Sequence, residues 1–240
     1  MGQTLRVVTL GFLGLLLMGP SPTRAYQEGP VERGGTLTGT VRFQGPIPEP
    51  YIIWVTKDEE VFGKAVPDER LLISKQGRVK NVVITIEGIQ RGKPWPNLKP
   101  RLINEKGRFI PHVQVAMRGT RLEIVNRDPV LHNTHGFQGG RSLFNRALPR
   151  FLRGRPVFQP LPEAGLLEVM CDVHDWMNGW VIVLEHPYFA ITGEDGTYAI
   201  TEIPPGTYKV TAWHEKLGKK ETQVTVKGTG GYKLDLTFSP

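Results

Sequence analysis

Apolar and polar positions alternate with a period of two along most of the chain. The runs at 36–43 (TLTGTVRF), 81–88 (NVVITIEG), 121–126 (RLEIVN), 166–170 (LLEVM), 180–185 (WVIVLE), 207–213 (TYKVTAW) and 233–238 (KLDLTF) are β-branched or alternating, and Gly, Pro, Asn and Asp separate them. No stretch of a dozen residues carries a helical stripe. The pattern predicts an all-β chain built of sandwiches.

Turn chemistry divides the chain. RGKPWPNLKP (91–100) reads as a proline-stiffened loop separating an N-terminal β segment, 26–100, from a central region, 101–186. After His186, a Gly-Glu-Asp-Gly turn and a Pro-Pro-Gly corner punctuate a last region, 187–240. Four or five short strands there are barely enough for a sandwich. That module either borrows strands from the N-terminal region or packs on the preceding domain.

The first 25 residues change the picture. Arg6, the apolar run Val7 to Met18, and Thr23 and Ala25 before Tyr26 have the layout of an export signal. The apolar run is too short for an ordinary span, so a mature protein with no membrane insertion, periplasmic or secreted, is expected. Removing Arg6 and Arg24 takes the formal charge from +7 to +5. A basic balance suits acidic partners, and no nucleic-acid-binding motif accompanies it.

Export makes the single cysteine, Cys171, worth explaining, because it has no partner in its own chain. It is a buried inert thiol, an intermolecular disulfide partner or a metal ligand. The stretch CDVHDWM (171–177) adds His174 and Met177, and NRDPVLHNTH (126–135) offers His132 and His135. If strands 121–126 and 166–170 are neighbours, their C-terminal ends bring His132 beside Cys171, His174 and Met177. One thiolate, two imidazoles and a weak axial thioether form the donor set of a blue copper site. Coordination would also deprotonate the thiol and shield it from oxidation.

Segments 113–137 and 165–185 resemble a cupredoxin of the plastocyanin/azurin superfamily with an amicyanin-like copper loop. That resemblance implies a Greek-key sandwich at 101–186 and one type 1 copper ion held by His132, Cys171, His174 and Met177. It also implies that Asn133 steadies the ligand loops by hydrogen bonds, and that electrons pass through an exposed edge of His174. FAITGEDGTYAI and PPGTYKVTAWHE, within 188–215, resemble a carboxypeptidase regulatory-like, or transthyretin-like, β-sandwich module, which implies a structural or docking role. The whole chain resembles bacterial exported proteins of the methylamine-utilisation or plastocyanin-like kind. Those relatives often carry two further cysteines, near Phe62 and Gly107, which this chain lacks.

Blander readings compete at each position. Met177 as core filler leaves a three-ligand site. His132, His135, Cys171 and His174 together would suit zinc, although alternate residues of an extended strand face opposite ways, which makes zinc the weaker candidate. His112, His186 and His214 read as packing or hydrogen-bonding residues, and Asp172 and Asp175 as loop acids. Trp176 and Trp180 either shield the metal, form a docking face or fill the core. Arg141, Arg146, Arg150, Arg153 and Arg155 lie in a stretch with no acid, 139–156, which is either a solvated loop or a ring that steers an acidic redox partner.

The expected function is therefore an exported blue copper protein passing single electrons between protein partners, a c-type cytochrome or a periplasmic dehydrogenase. No acid-base pair or nucleophile triad stands out, so an enzyme is not expected. Copper delivery without electron transfer and a metal-free structural sandwich are the competing readings.

Overall fold

The computed structural model describes residues 25–240, so the expected leader, 1–25, lies outside the described residues but for Ala25. Among those residues no helix is long and apolar enough to cross a membrane. Strands dominate, in agreement with the period-two pattern, and they build two β-sandwiches.

The first sandwich contains Cys171. One sheet orders Pro156–Pro160, Arg121–Asn126, Arg101–Glu105 and Arg108–Ile110; the other orders Arg141–Leu148, His132–Gln138, Gly165–Met170, Asn178–Leu184 and Val113–Met117. Leu102, Leu122 and Ile124 from one sheet meet Leu167, Val169, Val181 and Val183 from the other. Alternate residues of each strand face this core because successive side chains of an extended chain point to opposite faces.

Strand 121–126 is not a neighbour of 165–170, as the sequence suggested; it belongs to the opposite sheet. The chain crosses between sheets at 127–131, and His132 begins a new strand that runs antiparallel to Gly165–Met170, with His135 opposite Met170. The start of one strand and the end of the other thus lie at the same pole.

The second sandwich draws on both ends of the chain. Val83–Glu87 pairs with Phe189–Ile191 and Gly206–His214, while Gly35–Phe43 pairs with Thr197–Ile203, Gly230–Lys233 and Leu236–Phe238. Leu37, Val41, Ile84, Ile86, Ile200 and Val210 fill its core. The short C-terminal strands are therefore completed by strands of the N-terminal segment. Without those strands the region after residue 187 has too little apolar surface to enclose.

Several strands are buried on both faces, which joins the sandwiches. In Asn178–Leu184, Val181 and Val183 enter the first core while Ile182 joins Val83, Val113 and Val115 between the two bodies. Trp180 and Trp213 pack edge to face there, with ring centres 5.0 Å apart.

One piece of segment 26–100 serves the first sandwich instead. Ile52–Trp54 and Ala65–Pro67 pair antiparallel, with the helical turn Glu59–Phe62 between them. Val55 and Val66 are buried in the first core and Ile53 and Phe62 pack against it. This hairpin lies over the pole that carries Cys171.

Candidate metal centre

Local hydrogen bonds set each candidate ligand in place. Asn126, fully buried, donates from Nδ2 to the carbonyls of Val130 and Leu148, 2.8 Å each, and its Oδ1 accepts the N–H of Asp128 at 2.9 Å. Those bonds shape the crossing loop that delivers His132. On the other side, the N–H of Cys171 donates to the Met177 carbonyl at 3.3 Å and that of Met177 to the His174 carbonyl at 3.0 Å. The loop 171–177 is thereby closed into a tight ring of backbone.

Three donor atoms converge. Nδ1 of His132 lies 3.7 Å and Nδ1 of His174 3.8 Å from the Cys171 sulfur, and the two nitrogens are 3.0 Å apart. His132 and His174 are fully buried and Cys171 nearly so. Met177 is also buried, in the same apolar cluster as Cys171. Asn133 holds the two ligand segments together: its Oδ1 accepts the N–H of Asp172 at 2.7 Å and the thiol of Cys171 at 3.3 Å.

The electrostatics favour a thiolate. Burial pushes the Cys171 thiol up, but hydrogen bonds with His132 and His174 outweigh it and hold the group at about 6. Burial pushes His132 down, yet Asp128 and Cys171 raise it above its ordinary value. Asp128 itself is held low: burial works against the charge, and hydrogen bonds with His132 and the N–H groups of Gly107 and Lys106 prevail. A thiolate flanked by two imidazole nitrogens at one point is a donor set that fits copper, with soft sulfur for Cu(I) and imidazole for either oxidation state.

Both imidazoles have a carboxylate on the outer nitrogen. Asp128 Oδ2 lies 3.0 Å from Nε2 of His132, and Asp58 Oδ2 lies 2.8 Å from Nε2 of His174. Such partners fix the tautomer and the ring orientation of a ligating histidine. Phe62 covers the rings, its centre 5.2 Å from His174 and 5.9 Å from His132. Trp176 packs edge-on to both Phe62 and His174 and donates from its indole N–H to the Gly107 carbonyl at 3.0 Å.

This cap corrects one expectation. His174 offers no exposed edge, because Asp58, Phe62 and Trp176 cover it. Asp58, Phe62 and Asp128 escape a sequence reading; only Asp128, four residues before His132, leaves a trace of its role. Phe62 and Gly107 are neighbours, since a Cβ at Gly107 would meet the Phe62 ring at 3.2 Å.

His135 does not join the other three. It lies within strand His132–Gln138, not in a loop beyond it, and its two ring nitrogens face Asp172 and Ser142. Among the described residues the cluster is His132, Cys171 and His174, so the four-ligand zinc set is not assembled. Trp176 shields the centre, whereas Trp180 belongs to the junction between sandwiches. His112 pairs with Glu215 across that junction, and His214 accepts the N–H groups of Lys216 and Leu217.

The arginine-rich stretch is not a loop throughout. Arg141–Leu148 is a strand, with Leu148 opposite His132, and Arg150–Leu152 is a short turn just beyond it. Arg141 pairs with Glu163, Arg146 donates to Gln159 and Arg153 to the Arg127 carbonyl. Arg150 and Arg155 are exposed beside the same pole, as is Phe151.

A family model described as polysaccharide lyase family 4, domain II, matches residues 162–233, which run from the first sandwich into the second. No curated protein matches the chain. Among solved structures, a purple cupredoxin from Nitrosopumilus maritimus is 26% identical with a TM-score of 0.32, covering 36% of this chain and 100% of its own. A reduced amicyanin variant is 19% identical with a TM-score of 0.32, covering 42% of this chain and 98% of its own. A copper-containing nitrite reductase from Thermus scotoductus SA-01 is 22% identical with a TM-score of 0.33 over 39% of this chain, which spans only 24% of that enzyme.

Proposed function

We infer that the chain is an exported type 1 copper protein, a cupredoxin joined to a structural β module, that carries single electrons between protein partners. The observation that carries this reading is the approach of Nδ1 of His132, Nδ1 of His174 and Sγ of Cys171 within 4.8 Å of one another. Copper held there would supply the one-electron couple. The chain's own residues would do the rest: Cys171, His132, His174 and Met177 would hold the metal, and Asn133, Asp58 and Asp128 would keep those ligands still. Donors that cannot move between oxidation states keep the reorganisation small.

Exposed Arg150 and Arg155 beside this pole suit a partner with an acidic face, a c-type cytochrome or a periplasmic dehydrogenase. A second reading, copper holding or delivery without electron exchange, draws support from the full burial of His174. Adding Cu(II) to the mature protein tests the first. An intense thiolate-to-copper colour that Cys171→Ser abolishes is expected, followed by rapid reduction by a reduced c-type cytochrome. Colour with slow electron exchange, but with Cu(I) passing readily to an acceptor, would favour delivery; no colour at all would defeat electron transfer, and failure to bind Cu(I) as well would defeat both.

A further inference from the structure

The hairpin over the metal pole has an apolar base and a polar tip. Val55 and Val66 anchor the base in the first core. The tip, residues 58–62, contains no fully buried residue. Asp58 there adopts a left-handed backbone, φ 56° and ψ 42°, a conformation that a short polar side chain tolerates. That bend turns its carboxylate onto Nε2 of His174 and brings Phe62 over the rings of both histidines. Besides these contacts, Thr56 reaches the Asp175 carboxylate at 3.3 Å. A tip held by one charge-assisted hydrogen bond and one ring opens more readily than the core beneath it.

We propose that Asp58 is the positioning residue that latches this hairpin shut over the ligand cluster, so that metal ions and thiol reagents reach Cys171 only when the 58–62 tip lifts. The carboxylate holds two things with one bond: the His174 ring, with Nδ1 aimed inward, and the tip that carries Phe62. For metal exchange the latch rests on the copper reading given above. Access to the thiol does not, because it is a property of the metal-free chain.

The test uses the metal-free full chain and an aromatic disulfide reagent. The Cys171 thiolate attacks the reagent, a mixed disulfide forms, and the coloured aromatic thiolate that leaves is counted. Asp58→Ala and Phe62→Ala are each expected to react about 10- to 100-fold faster than the unsubstituted chain, the change that loss of one such contact makes in an opening equilibrium. Asp58→Asn retains an oxygen acceptor for the ring N–H and should stay near the unsubstituted rate; a purely electrostatic role would not be rescued in this way. Circular dichroism confirms that each variant is folded, and reaction in urea supplies the rate of a fully open thiol. Equal rates in folded Asp58→Ala, folded Phe62→Ala and the unsubstituted chain would overturn the latch. Removal of copper by a chelator should accelerate in the same order. A chain that takes up no copper removes the function proposed above and leaves the thiol result standing, whereas unchanged thiol rates remove the latch alone.

Discussion

Asn133 grips Asp172 at both ends of its amide: Oδ1 accepts the Asp172 backbone N–H at 2.7 Å, and Nδ2 donates to the Asp172 carboxylate at 2.7 Å. The same oxygen receives the Cys171 thiol. One nearly buried side chain thus ties the strand that begins with His132 to the loop that begins with Cys171. Asn133→Ala leaves the Asp172 N–H without its partner, and a loss of about 1–3 kcal/mol in denaturant unfolding is expected. Colour with Cu(II) should survive, because no donor is lost, but a chelator should strip the metal faster. A variant as stable as its parent would show that the two segments need no tie.

Met177 separates a true axial donor from a core residue of similar shape. It is buried in the apolar cluster that holds Cys171. Met177→Leu conserves volume, so it should cost less than about 1.5 kcal/mol in stability. If the thioether is a donor, its loss favours Cu(I) and raises the reduction potential while the colour remains. An unchanged potential would assign Met177 to packing alone.

His135 is the imidazole that the sequence offers and the fold turns away. Its ring nitrogens face Asp172 and Ser142. His135→Ala is therefore expected to keep the Cu(II) colour, whereas His132→Ala should lose it. Absorption spectra of the two variants decide the assignment.

Much of the centre is legible in the sequence because its parts are local. Cys171, His174 and Met177 sit in one short loop, and His132 with Asn133 opens a strand, so residue type and spacing betray them. The route by which they meet is less legible. The neighbouring strand is 132–138, not 121–126, because the chain changes sheets at 127–131, and an alternating pattern marks a strand without naming its partner. The cap is not legible at all. Asp58 is one acid among several in KDEE, 116 positions before His174, and only tertiary packing sets it on that ring. The second sandwich shows the same limit, since strands 35–43 and 83–87 find partners more than a hundred residues away.

His214 gives the second sandwich a pH dependence of its own. It is buried, accepts the N–H groups of Lys216 and Leu217 at Nδ1, and is pushed down from 6.5 to about 4 by that burial. Between those values the unfolded chain binds a proton that the folded chain refuses, so stability falls as pH drops through this window and is fully present above it. The shift corresponds to a loss on the order of 3 kcal/mol between neutral pH and pH 4. His186, also lowered by burial, acts in the same direction, so the test is a difference. His214→Gln should flatten the decline in unfolding free energy over this range relative to the unsubstituted chain. An equally steep decline in the variant would place the acid sensitivity elsewhere.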